Sequence, residues 1–269
     1  MPARSRIVVA VCAATAAIAA ISGCNTDDSA DSSAPLVVPA ATTAAQAEAF
    51  PGMTASEVLD EAKTAMRVAG AMTVDATGVD DGTDMHVKVA VTTVSRCAVA
   101  AEFGDESMQM VRPGGTGAYV KGNTEFWQDF AGDAGDAAAD RLTGKWARLT
   151  SREYTGKGLD SFCSLDEVLD SLLPDGDAAD LMAKRDRTTL DGRPVVPLTL
   201  SDRQGSMTVY VSTGVHPYVV KAETRDGSSR SSAVFTDVGL PPKVSAPPSS
   251  ATVDAGDLGS DDGSGGFHV

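Results

Sequence analysis

The chain has 269 residues, 22 of them basic and 37 acidic, for a formal charge of -15. That balance argues against nucleic acid or an anionic membrane surface as the main partner, because either is bound through clustered lysine and arginine. Four cysteines and three histidines exclude a multi-cysteine metal cluster and a histidine-rich site, and no metal or cofactor motif is present. Aromatic residues make up only 5% of the chain, so a core must be built mainly from Val, Leu, Met and Ala.

At the N-terminus, Arg4 and Arg6 precede an apolar, small-residue stretch over 7–21 that ends at Ser22-Gly23-Cys24. This is an export signal, too short and wrongly flanked for a transmembrane helix. Ile21-Ser22-Gly23-Cys24 resembles the bacterial lipobox, in which the cysteine is acylated and becomes the new N-terminus after cleavage. Acyl chains such as palmitate, at ~0.8 kcal/mol per buried methylene, would hold Cys24 to the outer face of the cell membrane despite the negative charge. The plainer alternative is a secretory signal followed by an incidental cysteine. The expected organisation is a signal peptide over 1–23, an anchor and flexible tether over 24–53, one domain over 54–246 and a disordered acidic tail over 247–269. Tether and tail are rich in Ser, Ala, Asp and Pro or Gly without periodicity, a composition that does not repay the entropy of ordering.

The domain opens with a predicted helix. Thr54 and Glu57 have capping-box spacing, Val58, Leu59, Ala62, Ala65, Met66 and Ala69 recur at helical period, and Gly70 stops the run. The period then changes to two. Met72, Val74 and Ala76 alternate with polar residues, as do Met85, Val87, Val89 and Val91 after a Val-Asp-Asp-Gly turn, which predicts an antiparallel hairpin with one wet face. Further strands are predicted over 96–103, 106–112 and 117–121, separated by Gly-containing turns.

Asn123 can cap a short helix carrying Phe126, Trp127 and Phe130, and an Ala-rich helix is expected over 133–142. A strand with Trp146 and Leu149 follows, then a helix capped by Ser164 with Leu165, Val168, Leu169 and Leu172 as its stripe. The remaining chain reads as strands over 182–190, 193–200, 206–213, 217–224 and 230–237. This order predicts an α+β fold, a strongly curved antiparallel sheet or half-open β-barrel with a helical cap. Trp127 and Trp146 read as core or cap anchors, with a place at a cavity mouth as the alternative.

Cys12 leaves with the signal peptide, and Cys97 and Cys163 remain. In an exported protein this pair reads as a disulfide that pins the helical insertion to the sheet, worth ~4 kcal/mol in the chain-entropy model. Two separate buried thiols are the alternative. No catalytic site is expected. His86 falls on the polar face of a strand, His216 in a turn and His268 beside the C-terminus, and the Asp-Gly pairs match no calcium loop, phosphate loop or nucleophile elbow.

The run Gly117-Ala118-Tyr119-Val120-Lys121-Gly122-Asn123 is followed by Phe126-Trp127 and Gly144-Lys145-Trp146. Leu190-Asp191-Gly192, Val209-Tyr210-Val211 with His216-Pro217-Tyr218, and Phe235-Thr236-Asp237 with Ala246-Pro247-Pro248 come later. With the lipobox, their order and spacing over about residues 55–248 resemble actinobacterial lipoproteins of the LolA-like and LppX/LprG-like superfamily. The resemblance implies a half-open barrel whose apolar interior receives acyl chains of a lipid, glycolipid or lipoprotein in the cell envelope. It supplies no ligand-contacting residue.

Inward-facing Met72, Val74, Met85, Val87, Val89, Met108, Met110, Val209 and Val211 are the candidate cavity lining, the methionines being flexible enough for variable acyl chains. Ordinary core packing would use the same residues in the same phase. Three functions therefore stand: a membrane-anchored, lipid-binding carrier; a structural lipoprotein with a filled core that engages an envelope protein through an exposed apolar patch; and, last, a hydrolase, which would need polar groups converging in a cleft with an activated nucleophile or metal.

Overall fold

In the computed structural model, residues 48–255 are described, apart from 116 and 204. The expected signal peptide, Cys24 and His268 lie outside the described residues. Helix α1 spans Ala55–Ala69 and begins with the expected capping box: Glu57 N donates to Thr54 Oγ1 (3.2 Å) while Thr54 N donates to Glu57 Oε2 (2.7 Å). The bonds that its carboxylate accepts from Thr54 N and from Thr54 Oγ1 (3.0 Å) hold the Glu57 carboxyl below its ordinary range. Gly70, left-handed at φ 76°, closes the helix and turns the chain into the sheet.

Strands β1 (Ala71–Asp80), β2 (Thr83–Thr92), β3 (Cys97–Phe103), β4 (Glu106–Arg112) and β5 (Ala118–Gly122) form an antiparallel meander. Asp81 and Gly82 join β1 to β2 with φ of 46° and 85°, the positive values required by a two-residue hairpin matching the strand twist. Helices α2 (Thr124–Phe130) and α3 (Gly135–Leu142) follow, then β6 (Trp146–Leu149) and α4 (Ser151–Gly156). A 3-10 turn over Ser161–Cys163 leads into α5 (Leu165–Leu172) and α6 (Gly176–Asp180). The chain returns to the sheet as β7 (Ala183–Lys184), β8 (Thr188–Leu190), β9 (Arg193–Ser201), β10 (Gly205–Ser212), β11 (Val219–Asp226), β12 (Ser229–Thr236) and β13 (Thr252–Asp254).

The strands form one open, mixed sheet in the order β13-β6-β5-β4-β3-β2-β1-β12-β11-β10-β9-β7, with β8 also on β9. Only β13–β6 is parallel among the described strands. Leu198, Val209, Ala222, Ala233, Ala76, Val87, Ala101 and Met108 form one register row from β9 to β4. Inner residues from β9 to β13 join a single hydrophobic cluster with α1, α2 and α5. Laid flat at ~4.8 Å per strand, the sheet would be roughly 50 Å wide. It reaches one cluster by curving round the helices, so the fold is α+β with a concave face under a helical cap.

The structure departs from the sequence reading in four places. Residues 48–53, expected in the tether, pack on the core through Ala49, Phe50 and Met53, and Lys184 Nζ donates to Phe50 O (2.7 Å). Residues 249–255, expected in the disordered tail, form a 3-10 turn and β13, and Ala255 is fully buried. The edge of β6 supplies the backbone partners that this segment's composition does not advertise. The single strand expected over 182–190 is divided into β7 and β8, with a one-residue slip in register against β9. Helix α4, capped by Thr150 and Glu153, and the short α6 were not expected.

Tyr154 of α4 is buried with no hydrogen-bond partner on its hydroxyl among the described residues, and the Arg112 guanidinium sits 5.2 Å from its ring centroid. Burial pushes its phenol up from about 10 to about 12. Because the folded value is the raised one, the associated stability is complete below about pH 10 and is lost as the pH approaches about 12. The melting temperature should fall over that window, and fall less in Tyr154→Phe. Superimposable curves for the two proteins would rule this out.

Candidate functional site: an apolar cavity beneath α5

A cavity of about 700 Å³ lies between the concave face and α5. Val74 and Ala76 of β1, Val87 of β2, Ala222 of β11 and Ala233 of β12 form its floor, and Met85 and Met207 flank it. Its roof is Phe162, Val168, Leu172, Leu173 and Pro174. The space follows from side-chain size, because Ala76, Ala233 and Ala222 are successive neighbours in one register row. Elsewhere in the sheet larger residues meet the helices.

Burial falls in the same direction along each strand of the floor. Phe235 and Ala233 are buried whereas Ser231 is exposed, Val74 is buried whereas Ala76 and Gly78 are partly exposed, and Ala222 gives way to Thr224 and Val87 to Met85. The cavity therefore opens at the end of the sheet that holds the β1–β2 and β11–β12 hairpins. Its lining includes the hydroxyl residues Ser161, Ser171, Thr224, Ser231 and Ser232, and Glu167 is its only titratable side chain among the described residues.

Two kinds of restraint hold the roof. Cys97 of β3 and Cys163 are joined in a disulfide with their Cα atoms 5.2 Å apart, which ties the 3-10 turn carrying Ser161 and Phe162 to the sheet. Helix α5 is clamped to α1 by Lys63 Nζ–Asp170 Oδ1 (3.0 Å), Arg67 Nε–Asp166 Oδ1 (2.7 Å) and Arg67 Nη2–Asp170 Oδ1 (3.0 Å). The Lys63 side chain is 5% exposed, and Asp170 is the carboxylate that faces it.

Of the nine side chains expected to line a cavity, Val74, Met85 and Val87 do so. Met72, Val89, Met108, Met110, Val209 and Val211 are on the same face but inside the packed core. Helix α1 covers β1, β10 and β11, the 3-10 turn at Ser161–Cys163 covers β2 and β3, and α2 covers β4 and β5. The alanine floor and the roof were not singled out from sequence. The roof had a signal in the stripe of α5, whereas the floor had none, since three alanines on three strands become adjacent only through pairing.

Trp127 is fully buried, its ring centroid 5.0 Å from that of Phe126 and 5.8 Å from that of Phe130. Trp146 is half-buried on β6, and neither lines the cavity. His86 is on the outer face, with Nε2 2.9 Å from Asp75 Oδ1, and His216 is exposed in the 213–218 loop. Among the described residues no group of three or more His, Cys, Asp or Glu is placed to hold a metal ion. No described helix is long and apolar enough to cross a membrane.

No family model and no curated protein matches the chain. Similar solved structures include LprF from Mycobacterium bovis, 12% identical over 72% of this chain and 96% of that one, with a TM-score of 0.45. The Mycobacterium tuberculosis lipoprotein LppX is 12% identical over 71% of this chain and 97% of that one, with a TM-score of 0.41. A LolA superfamily protein from Nitrosomonas europaea is 10% identical over 69% of this chain and 92% of that one, with a TM-score of 0.23. The last two bear the names of the group that the sequence resembles. At these identities and TM-scores the likenesses assign no ligand to the present chain.

Removing Asp170 strands the buried Lys63 charge, whereas removing Asp166 leaves Arg67 its second carboxylate. Asp170 is half exposed, which limits the loss. Asp170→Ala should cost about 1–2 kcal/mol and Asp166→Ala less than about 0.5 kcal/mol in urea unfolding. The reverse ranking would show that the clamp does not run through Lys63.

Proposed function

We propose that this chain is a non-enzymatic, extracytoplasmic lipoprotein, anchored to the cell membrane by an acylated Cys24, that takes an acyl chain of a lipid into the cavity beneath α5. The observation that carries the reading is the cavity itself. Its volume of about 700 Å³ lies within the ~300–1,000 Å³ of small-molecule sites. Its floor and roof are mainly apolar, and it opens at one end where hydroxyl side chains gather. An amphiphile enters such a space tail first, its polar end left among Thr224, Ser231 and water. Met85 and Met207 adjust to the chain at low cost because the thioether side chain is unbranched and polarisable. The lipobox and the sequence resemblance support the envelope location.

Native and organic-extract mass spectrometry of the Cys24→Ala chain, purified from an actinobacterial host, tests the cargo. A stoichiometric lipid lost on denaturation is expected, and Ala76→Leu with Ala233→Leu should abolish it while the protein still folds. A parent protein that is empty and takes up no added phospholipid would favour the interaction protein with an unoccupied cavity. The anchor has a separate readout: wild-type chain should fractionate with membranes and carry the acyl mass, whereas Cys24→Ala should do neither. Acylation persisting in that variant would remove Cys24 as the attachment site.

A further inference from the structure

The end of the molecule opposite the cavity mouth carries apolar side chains that the fold leaves uncovered. Val68 at the end of α1 is 84% exposed, Val94 in the β2–β3 turn 76%, Val215 in the β10–β11 loop 94% and Leu240 beyond β12 64%. The strand register brings these segments to one end. β1 begins where β2 and β12 finish, and β11 begins where β10 finishes. Backbone bonds join them: Thr93 N donates to Gly70 O (3.0 Å) and Gly239 N to Ala71 O (2.8 Å). Leu240, Val238 and Tyr218 share a groove of about 720 Å³ with Thr213 and Gly214, so the loop that bears Val215 continues the same surface.

Charge divides along the same axis. Arg187 and Arg193 line this groove and Arg96 lies in the turn beside Val94. All three are exposed, and none forms an ion pair among the described residues. Asp186 beside Arg187, Asp191 and Asp237 are the carboxylates that accompany them. At the mouth end the β1–β2 and β3–β4 turns carry Asp80, Asp81, Asp84, Asp105 and Glu106, the β9–β10 turn carries Asp202 and Arg203, and the β11–β12 turn adds Asp226 between Arg225 and Arg230. In a chain of net charge -15, the apolar end is thus the one least repelled by an anionic surface.

We propose that this end lies on an anionic lipid surface, with Val94, Val215 and Leu240 in the headgroup–acyl boundary and Arg96 and Arg193 among the headgroups. The apolar groups stand on separate turns with arginines beside them, which suits shallow insertion combined with electrostatic attraction. A protein-binding hot spot centres on Trp or Tyr; none of the large apolar residues exposed here is aromatic, and Tyr218 in the groove is already half-buried. Docked this way, the cavity mouth faces away from the bilayer. The geometry is independent of the lipid-cargo reading, and acylation of Cys24 would only raise the local concentration at the surface.

The test uses the full acylated chain on phosphatidylglycerol-containing vesicles whose acyl chains are brominated. A tryptophan reporter is placed at the apolar end by Val215→Trp or at the mouth end by Asp84→Trp, both exposed positions without left-handed backbone that should not disturb folding. After subtraction of the parent signal, quenching at position 215 should exceed that at position 84 by about twofold or more. Adding Arg96→Glu and Arg193→Glu should reduce it to less than about half, and raised salt should weaken it further. Equal quenching at the two ends, stronger quenching at position 84, or indifference to the charge reversal would overturn the proposal. So would an unquenched reporter on a chain that captures an envelope protein through these turns, which would assign the surface to a protein partner.

Discussion

The bond between Cys97 and Cys163 holds the helical insertion against β3, and the position of α5 over the sheet depends on that attachment. The chain between β6 and β7 has little regular sheet contact of its own, and its helices are short. Helices of five to eight residues are marginal in isolation, so they take their geometry from what they are fastened to. The disulfide fastens one end of α5, through the turn before it, to the sheet. The carboxylates of Asp166 and Asp170 fasten its body to Lys63 and Arg67 of α1. With both restraints in place, a space persists where alanines face the roof.

The two ends of the domain follow from how the strands run through this arrangement. Toward the start of β1 the concave face meets α1, and the large residues Met72, Phe235 and Val211 are buried. Toward the β1–β2 hairpin the inward positions become Ala76, Gly78, Thr224 and Ser231, and burial declines. The same sheet is therefore a packed core at one end and a cavity wall at the other. Acidic turns crowd the open end, and exposed valines with arginines that form no ion pair among the described residues occupy the closed one. Among the described residues the cavity lining is apolar apart from hydroxyl side chains and the Glu167 carboxylate.

Much of the architecture was legible in local pattern. The capping residues Thr54, Asn123 and Ser164 mark helices that do start there, and Gly70 ends the one expected. The alternation of Val87, Val89 and Val91 selects the face that is buried. Pattern misled where partners are remote. Residues 249–255 have the composition of a tail, yet they complete a sheet edge. The expected lining was read from phase alone, and phase distinguishes the inner face from the outer without saying whether a helix or a cavity lies against it.

Side-chain period, capping chemistry and turn glycines thus determined the elements and their inward faces, because each is a property of neighbouring residues. Tertiary structure decided which inward residues touch a helix and which face empty space. That depends on register across β1, β12 and β11, which sets Ala76, Ala233 and Ala222 side by side, and on the height at which α5 is held above them. It also decided that four separated turns share one end. No local rule carries these facts, since each is a distance between residues that the chain places far apart.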